Sequence, residues 1–485
     1  MKKASPMEHR CRDSGSDGQG FTRKDRKTNL KKIVAAGIAA VCAVSMAACG
    51  GSGSGSSKVT DIQYKDIKLG QTGKDIKANL KLFSHRTDML KNDYPGTTWK
   101  QYIAEFNKTY PNIKVTVEAN SDYANSAMTR LQGGDWGDIM MIPAVDRAEL
   151  QNYFISYGSL GDMNKEIKYA VNQSYQKKVY GVASVGNASG IVYNKRIFKE
   201  AGIDKLPTTP KEFISDLKAI KEKTKATPLY TNYAAGWTMG AWDAYIGGTA
   251  TGDPNYMNNV FTHTKNPFKD PGDGTHAYNV YKILYDAVAD GLTEDDYSTT
   301  DWETSKNKLN SGDIATMVLG SWAVSQIQSA GDNAKDVGYM PFPISVKGKQ
   351  YATSASDYAY GINKNSSTTN QEAAMIFVKW LTEKSNYAYN EGGVSIAADD
   401  DKLPDLYSDF KNVKLIADEP APDGEEDLFN DLNSDSELNI NTGGDSRVQS
   451  IVEHAANKDE SYNDLVKEWN QKWNDALDSE GVDTK

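Results

Sequence analysis

Five polar side chains in a row, Ser-His-Arg-Thr-Asp, occupy residues 84–88 directly after an alternating apolar run at 78–83. The alternation predicts a β-strand, and clefts of α/β proteins form at the carboxyl ends of strands. We therefore predict that His85, Arg86 and Asp88 bind hydroxyl groups of a ligand, because they carry both donors and acceptors. A solvated loop without a binding role is the alternative.

Two indoles lie in a glycine-rich loop, Ala-Gly-Trp-Thr-Met-Gly-Ala-Trp, at residues 235–242. Glycines beside a tryptophan on a loop indicate access for a ligand more than burial in a core. Trp237 and Trp242 are therefore predicted to offer flat faces on which a ligand ring stacks. Tyr123, which follows a later alternating run, is expected to reach the same site.

Motifs of the common hydrolytic and phosphate-handling sites are missing. The sequence has no Gly-x-Ser-x-Gly, no His-Glu-x-x-His and no phosphate-cradling glycine-rich loop. The acidic segment 418–437 is predicted to be a solvated surface loop. A calcium loop is the alternative there, but the turn glycine and the closing glutamate of such a loop are absent. We predict no catalytic residue, no metal and no cofactor.

Composition narrows the class of protein. With 39% hydrophobic and 25% charged residues, a chain of 485 residues should fold into two or three globular domains. The net charge of −10 argues against a nucleic-acid partner, which would need a basic surface.

The first 48 residues differ from the rest in charge, +6 against −16. A basic stretch at 23–32 precedes an uncharged apolar segment at 33–48, the pattern of a signal peptide. Met-Ala-Ala-Cys at 46–49 resembles a lipobox, although Leu is usual where Met46 stands. We predict a signal peptide at 1–48, a lipid on Cys49 and a flexible Gly/Ser tether at 49–57. A plain signal peptide or a short anchor helix is the alternative.

Strands and helices alternate in two separate blocks of the remaining chain. Helical spacing of apolar residues alternates with strand-like runs, and the first block reads β-α-β-α-β, the order of a parallel sheet covered by helices. The predicted strands are 78–83, 113–117, 138–142, 191–193 and 314–319, and the predicted helices are 99–110, 124–131, 210–224, 277–289, 302–310, 371–382 and 461–477. This order favours two α/β lobes.

Several short stretches carry a family resemblance. They are Phe-Asn-Lys-Thr-Tyr-Pro-Asn-Ile-Lys-Val at 106–115, Leu-Gln-Gly-Gly-Asp-Trp-Gly-Asp-Ile at 131–139, Tyr-Gly-Val at 180–182, Tyr-Asn-Lys at 193–195, Phe-Lys-Glu-Ala-Gly-Ile at 198–203, Pro-Thr-Thr-Pro-Lys-Glu-Phe at 207–213, Gly-Asp-Ile-Ala-Thr-Met at 312–317 and Gly-Ser-Trp at 320–322. In this order they resemble the extracellular solute-binding proteins of bacterial ABC importers, in particular the sugar-binding group that includes maltose-binding protein. Residues 403–441 fit less well.

The resemblance implies a two-lobed α/β fold of the periplasmic-binding-protein type, in which each lobe is a sheet flanked by helices. About three hinge crossings join the lobes, and the protein closes around its ligand by bending at them. We expect crossings near 183–190, near 357–361 and within 395–440. The first lobe would contain 58–185 and about 359–415, and the second 186–358 and about 416–485.

The resemblance also implies ligand-binding residues. Trp322 matches a tryptophan that stacks on sugar, and Asp146 with Arg147 matches an Asp-Arg pair that in maltose-binding protein holds sugar hydroxyls. The remaining positions fall at the first two crossings. The residues that the resemblance adds to the predicted site are Asp146, Arg147, Asn187, Trp322, Asp357 and Tyr358.

The resemblance implies a monomeric receptor, lipid-anchored on the outer face of the cell membrane, that binds a mono- or oligosaccharide and delivers it unchanged to ABC permease subunits. Alternatives with the same fold are a peptide or polyamine binder and a surface adhesin. An exported glycoside-active enzyme is a further alternative, although no motif fixes the two facing carboxylates that it would need.

Overall fold

The computed structural model describes residues 59–94, 96–120, 123–441 and 446–484. The predicted signal peptide, the lipid site at Cys49 and the tether lie outside these ranges. Among the helices that lie within them, none is both long and apolar enough to cross a membrane.

The first sheet has five strands and forms the centre of the first lobe. In spatial order, its first three strands run parallel to one another. The fourth strand pairs antiparallel with the third, and the fifth pairs antiparallel with the fourth. The strands, in spatial order, are Ile113–Ala119, Ala78–Ser84, Ile139–Met141, Ala359–Ile362 and Val182–Ala183. Helices Trp99–Thr109 and Tyr123–Gly133 connect the parallel strands, so the predicted β-α-β-α-β order is confirmed.

The second sheet has four strands and forms the centre of the second lobe. One pair is parallel and the other two pairs are antiparallel. In spatial order the strands are Thr227–Leu229, Ile314–Val318, Ile191–Asn194 and Val337–Met340. Three of them are buried at every position, as expected for strands covered on both faces.

A bridging sheet lies where the chain passes between the lobes. Gly186–Ala188 pairs antiparallel with Tyr351–Ser356, which pairs parallel with Lys414–Ile416. The chain leaves the first sheet at Ala183, enters the bridging strand at Gly186, and returns from Tyr351–Ser356 to the first sheet at Ala359. The two-lobed α/β fold is therefore confirmed.

The helices follow the apolar spacing of the sequence, and all seven predicted helices are present. Pro210–Lys223 illustrates why they form: Thr209 and Glu212 make a capping box, proline stands in the first turn, and one face is buried. The helices of seven or more residues are Trp99–Thr109, Tyr123–Gly133, Leu160–Glu166, Pro210–Lys223, His276–Ala289, Trp302–Ser311, Trp322–Gln328, Thr368–Glu383, Leu428–Ser436, Ser446–Asn457 and Tyr462–Glu480.

Each lobe has its own hydrophobic core. Phe106 and Phe377 pack in the first core, and Phe213 and Trp473 in the second. The predicted limits of the two lobes stay predictions. The packing of one segment near such a limit can nevertheless be described. Tyr407 and Phe410, which precede the predicted limit near 415, pack with Tyr339 of the second sheet in a smaller third cluster.

The acidic segment corrects one expectation. Residues 418–437 were predicted to be a solvated loop, but Leu428–Ser436 forms a helix. The helix forms because one of its faces is buried: Leu432 packs in the second core, and the Asn433 side chain bonds both backbone groups of Ile440. Within the described ranges no three His, Cys, Asp or Glu side chains gather closely enough to hold a metal ion.

Candidate functional site

A cavity of about 450 Å³ lies where the two lobes and the bridging sheet meet. Both lobes and the bridging strands contribute side chains to its wall. The described residues that line it are His85, Arg86, Val185, Asn187, Ala188, Ser189, Ala241, Ala244, Tyr245, Gly320, Trp322, Ser325, Gln326, Thr353, Ala355, Ser356, Asp357, Tyr358 and Glu391. Aromatic rings and hydrogen-bonding groups therefore face one space, as in sites that bind small ligands.

The indole of Trp322 reaches the cavity from the second lobe. Trp322 is the first residue of helix Trp322–Gln328 and follows strand Ile314–Val318. Gly320 makes room for it, because a Cβ on that glycine would lie 2.7 Å from Nε1 of Trp322. The Gly-Ser turn is thus needed to place the indole against the cavity.

Three indoles form one cluster beside the cavity. The ring centroids of Trp237 and Trp322 lie 5.6 Å apart, and Trp302 lies 5.5 Å from Trp237 and 5.8 Å from Trp322. Trp237 is 41% exposed, which leaves part of its face open to a ligand outside the cavity wall. The half-buried Trp302 supports the other two.

A polar network connects Trp322's turn to the bridging strands. Ser321 Oγ donates to Oδ1 of Asn187 at 3.3 Å and accepts from the Ala188 amide at 3.1 Å. Asn187 Nδ2 in turn donates to Oδ2 of Asp357 at 3.2 Å. Two predicted binding residues from different crossings are thereby held side by side.

The first lobe contributes an imidazole and a phenol. The rings of His85 and Tyr358 lie 4.8 Å apart, and Tyr123 packs edge-on behind both. Burial lowers the pKa of His85, although Asp357 opposes the shift. His85 is therefore neutral near pH 7, and its buried Nδ1 has no hydrogen-bond partner within the described residues.

Arg86 lies beside His85 and is held by carboxylates. It makes a forked hydrogen bond to Asp88, and its Nη2 also donates to Tyr94 and to Oε2 of Glu391, each at 2.8 Å. Burial disfavours the guanidinium charge, but the surrounding Tyr387, Asp88 and Glu391 raise the pKa of Arg86. The side chain is charged and fixed in one position before any ligand arrives.

The structure brings some predicted residues to the cavity and leaves others elsewhere. The predicted residues in its wall are His85, Arg86, Asn187, Trp322, Asp357 and Tyr358. Tyr123 is 3% exposed and donates its hydroxyl to the Met141 carbonyl, so it supports the wall from behind. Asp88 touches Arg86 but does not line the cavity.

Besides Asp88, Tyr123 and Trp237, three more predicted residues do not line the cavity. Trp242 is 2% exposed and packs with Tyr245 and Phe342, because the loop winds into short helices that turn its indole into the core. Asp146 and Arg147 are exposed, and the Asp146 carboxylate caps a short helix by accepting from the Ala148 amide.

Sequence reasoning missed Glu391 and Tyr245. Tyr245 lies three residues beyond Trp242 in the same loop, and its hydroxyl donates to the Gly190 carbonyl at 2.7 Å. Glu391 precedes two glycines, and a Cβ on Gly393 would collide with Cγ2 of Val185. A pair of glycines indicates that two backbone segments approach closely there. This pair, directly after an acidic residue, was the sequence signal that could have pointed to Glu391.

A larger cavity, of about 530 Å³, lies in the first lobe at the end of helix Thr368–Glu383. None of the described residues of the second sheet lines it, and its wall is mainly polar, with Lys165, Glu166 and Lys384 among its members. We take the smaller cavity as the functional site, because both lobes and an indole meet there.

Two lobes that enclose a cavity of rings and hydrogen-bonding groups define a ligand-binding protein of the hinged, two-lobed class. Residues 92–388 match the family described as bacterial extracellular solute-binding protein. This match covers more than half of the chain, and the chain belongs to that family. The resemblance predicted from the sequence is thereby confirmed.

Similar proteins with known structures bind oligosaccharides. A manno-oligosaccharide-specific solute-binding protein of Bifidobacterium animalis subsp. lactis, solved with mannotriose, is 60% identical. The match covers 87% of this chain and 99% of that one, with a TM-score of 0.83. A second binding protein of an ABC transporter from that organism, solved with mannobiose, is 58% identical over 87% and 99% of the two chains, with a TM-score of 0.82.

A more distant relative is the multiple sugar-binding protein of Streptococcus mutans. It is 26% identical over 361 residues, which are 73% of this chain and 78% of that protein. These similar proteins are all binding proteins.

Proposed function

We propose that this protein captures oligosaccharides, with manno-oligosaccharides as its ligand class, in the cavity between its lobes. The observation that carries the proposal is the meeting of Trp322 from the second lobe with His85, Arg86 and Tyr358 from the first lobe. A sugar ring has an apolar face that stacks on an indole and hydroxyl edges that need hydrogen-bond partners. The 60% identity to a manno-oligosaccharide-specific protein supports the choice of sugar.

Capture proceeds without covalent chemistry. The ligand stacks on Trp322 while, at its edge, Asn187 donates and accepts hydrogen bonds and Asp357 accepts them. Bending at the bridging sheet then brings the first-lobe wall onto the ligand and expels water. On the basis of their packing, we assign the described residues within 59–183 and 359–391 to the first lobe and those within 191–340, 403–441 and 446–484 to the second.

The site as a whole serves delivery to a permease. The closed form exposes a surface that differs from the open form, so an ABC permease can distinguish loaded from empty receptor. A lipid on Cys49 and a Gly/Ser tether would hold the monomer at the outer face of the membrane while the lobes move freely.

Isothermal titration calorimetry tests the ligand class. Mannobiose and mannotriose should bind, whereas maltotriose and raffinose of comparable size should bind much more weakly. Absence of heat with both manno-oligosaccharides, together with a native melting curve, would refute the assignment. Tight binding of spermidine or a short peptide instead would favour the alternative ligands of this fold.

The non-enzymatic part of the proposal has its own assay. Mannotriose incubated with the protein should be recovered intact, without new reducing ends. Any turnover would contradict capture without chemistry and would favour a glycoside-active enzyme.

A further inference from the structure

Glu391 has an unusual environment for a carboxylate. Its side chain is 2% exposed and lines the cavity, and one oxygen, Oε2, accepts from Arg86 at 2.8 Å and from the Tyr94 hydroxyl at 2.7 Å. The other oxygen, Oε1, is buried without a partner among the described residues. A buried acceptor without a donor costs free energy, so this oxygen is suited to receive a donor from a ligand.

The charges around the cavity are unbalanced. Two carboxylates, Asp357 and Glu391, and one guanidinium, Arg86, line it. The guanidinium is already shared, because it also makes a forked hydrogen bond to Asp88 outside the wall. His85 adds no charge near pH 7, since burial lowers its pKa. An anionic ligand group would therefore meet excess negative charge in this cavity.

We propose that Glu391 sets the charge selectivity of the cleft: its free oxygen accepts a hydroxyl of a neutral oligosaccharide, and its charge excludes oligosaccharides that carry a carboxylate. Asp357, which also lines the cavity, reinforces the exclusion. Arg86 and Tyr94 are positioning residues, because they hold Oε2 and leave Oε1 without a partner among the described residues. This inference rests on the proposed oligosaccharide function and adds the rejection of uronate-containing sugars.

The first test uses the wild-type protein and two matched ligands. Mannotriose and a mannotriose oxidised to a carboxylate at one C6 differ only in charge at a single group. In calorimetry the oxidised sugar should bind at least about tenfold more weakly than mannotriose, because its carboxylate would lie near the carboxylates of the cavity wall. We expect this difference whichever terminal residue of the sugar is oxidised. Equal affinities would overturn the proposal, and failure of mannotriose itself to bind would instead refute the proposed function.

The second test removes the charge and keeps the shape. Glu391→Gln should weaken mannotriose binding about tenfold or more, since hydrogen bonds to charged groups are the stronger ones. The same variant should reduce the ratio between the affinity for mannotriose and the affinity for its oxidised form. An unchanged preference would overturn the role of Glu391.

Glu166→Gln is the matched control. Glu166 is also a first-lobe carboxylate paired with a buried cation, Lys379, but it does not line the cleft. Its variant should keep both the affinity and the preference of the wild type; an equal change there would contradict a specific role for Glu391. Melting curves check that each variant is folded, and if Glu391→Gln is not, the wild-type comparison decides.

Discussion

Nδ2 of Asn187 donates a hydrogen bond to Oδ2 of Asp357 across 3.2 Å. Asn187 lies on Gly186–Ala188 and Asp357 directly follows Tyr351–Ser356, so the bond ties together two segments that connect the lobes. Because Ser321 also bonds Asn187, the turn before Trp322 is joined to the same hinge. The turn that carries Trp322 and the two connecting segments therefore share one hydrogen-bonded network.

Trp322→Ala should weaken mannotriose binding by about 1–3 kcal/mol, the usual contribution of an aromatic ring on which a ligand stacks. Calorimetry measures the change. Trp136→Phe alters a buried indole of the first lobe that does not line the cavity, and it should leave affinity unchanged. Unaltered affinity in Trp322→Ala would remove this residue from the site.

Gly393→Ala should lower the free energy of unfolding by about 1–3 kcal/mol, because the new methyl group overlaps Val185 and the Gly186 carbonyl at the hinge. Urea denaturation gives the value. Gly161→Ala is the control: that helical position has open space around it, so alanine should stabilise by about 0.5–1 kcal/mol. Equal stability of the two variants would show that the hinge tolerates the added volume.

Arg447→Ala should destabilise the second lobe by about 3–5 kcal/mol, because it leaves the buried Asp243 carboxylate without its cation. Lys472→Ala breaks an exposed ion pair with Glu468 and should cost only about 0–1 kcal/mol. Chemical denaturation gives the free energy of unfolding of both variants. Similar losses in both would mean that the buried pair contributes no more than the exposed one.

Asp418→Asn should stabilise the protein only toward higher pH. Burial raises the pKa of Asp418 to about 6, and its Oδ1 has no partner within the described residues. The folded state therefore favours the protonated form, and stability is lost as pH rises from about 4 to about 6. The variant avoids this loss, so its melting temperature should exceed that of the wild type at pH 8 and match it near pH 4.

The control for this pH effect is Asp423→Asn, which changes an exposed carboxylate of the same segment and should melt like the wild type at every pH. A constant difference between Asp418→Asn and the wild type across the range would contradict the titration of Asp418.

Cys49→Ala should release the protein from the membrane fraction, because the chain after the predicted cleavage site would have no thiol to carry the lipid. Cell fractionation followed by immunoblotting reads the result. Cys42→Ala, in the apolar segment ahead of the predicted cleavage site, should stay membrane-bound. Retention of Cys49→Ala in membranes would refute the lipid anchor.

Secondary structure was predictable because its signals are local. The alternation at 78–83 and the spacing of Phe213, Leu217 and Ile220 depend on neighbours within two turns or one strand, and both elements are present. The family stretches added the two-lobed arrangement. The acidic segment misled because Leu428, Phe429 and Leu432 of its helix pack on the second core while the carboxylates of that helix stay on the other face.

The wall of the site was only partly predictable. Trp237 and Trp242 share one loop and the same glycines, yet the structure exposes the first and buries the second. Their difference arises from how the short helices of that loop rotate against Phe342, which is a hundred residues away in sequence. Sequence patterns carry no record of that rotation.

The sequence by itself determined seven helices, five strands, their order and the class of ligand-binding fold, because these follow from local periodicity and short motifs. Only the tertiary structure decided which polar groups line the cavity. Glu391 meets Arg86 across 305 positions of the chain, and the contact forms only because the chain returns to the first lobe after it has passed through the second.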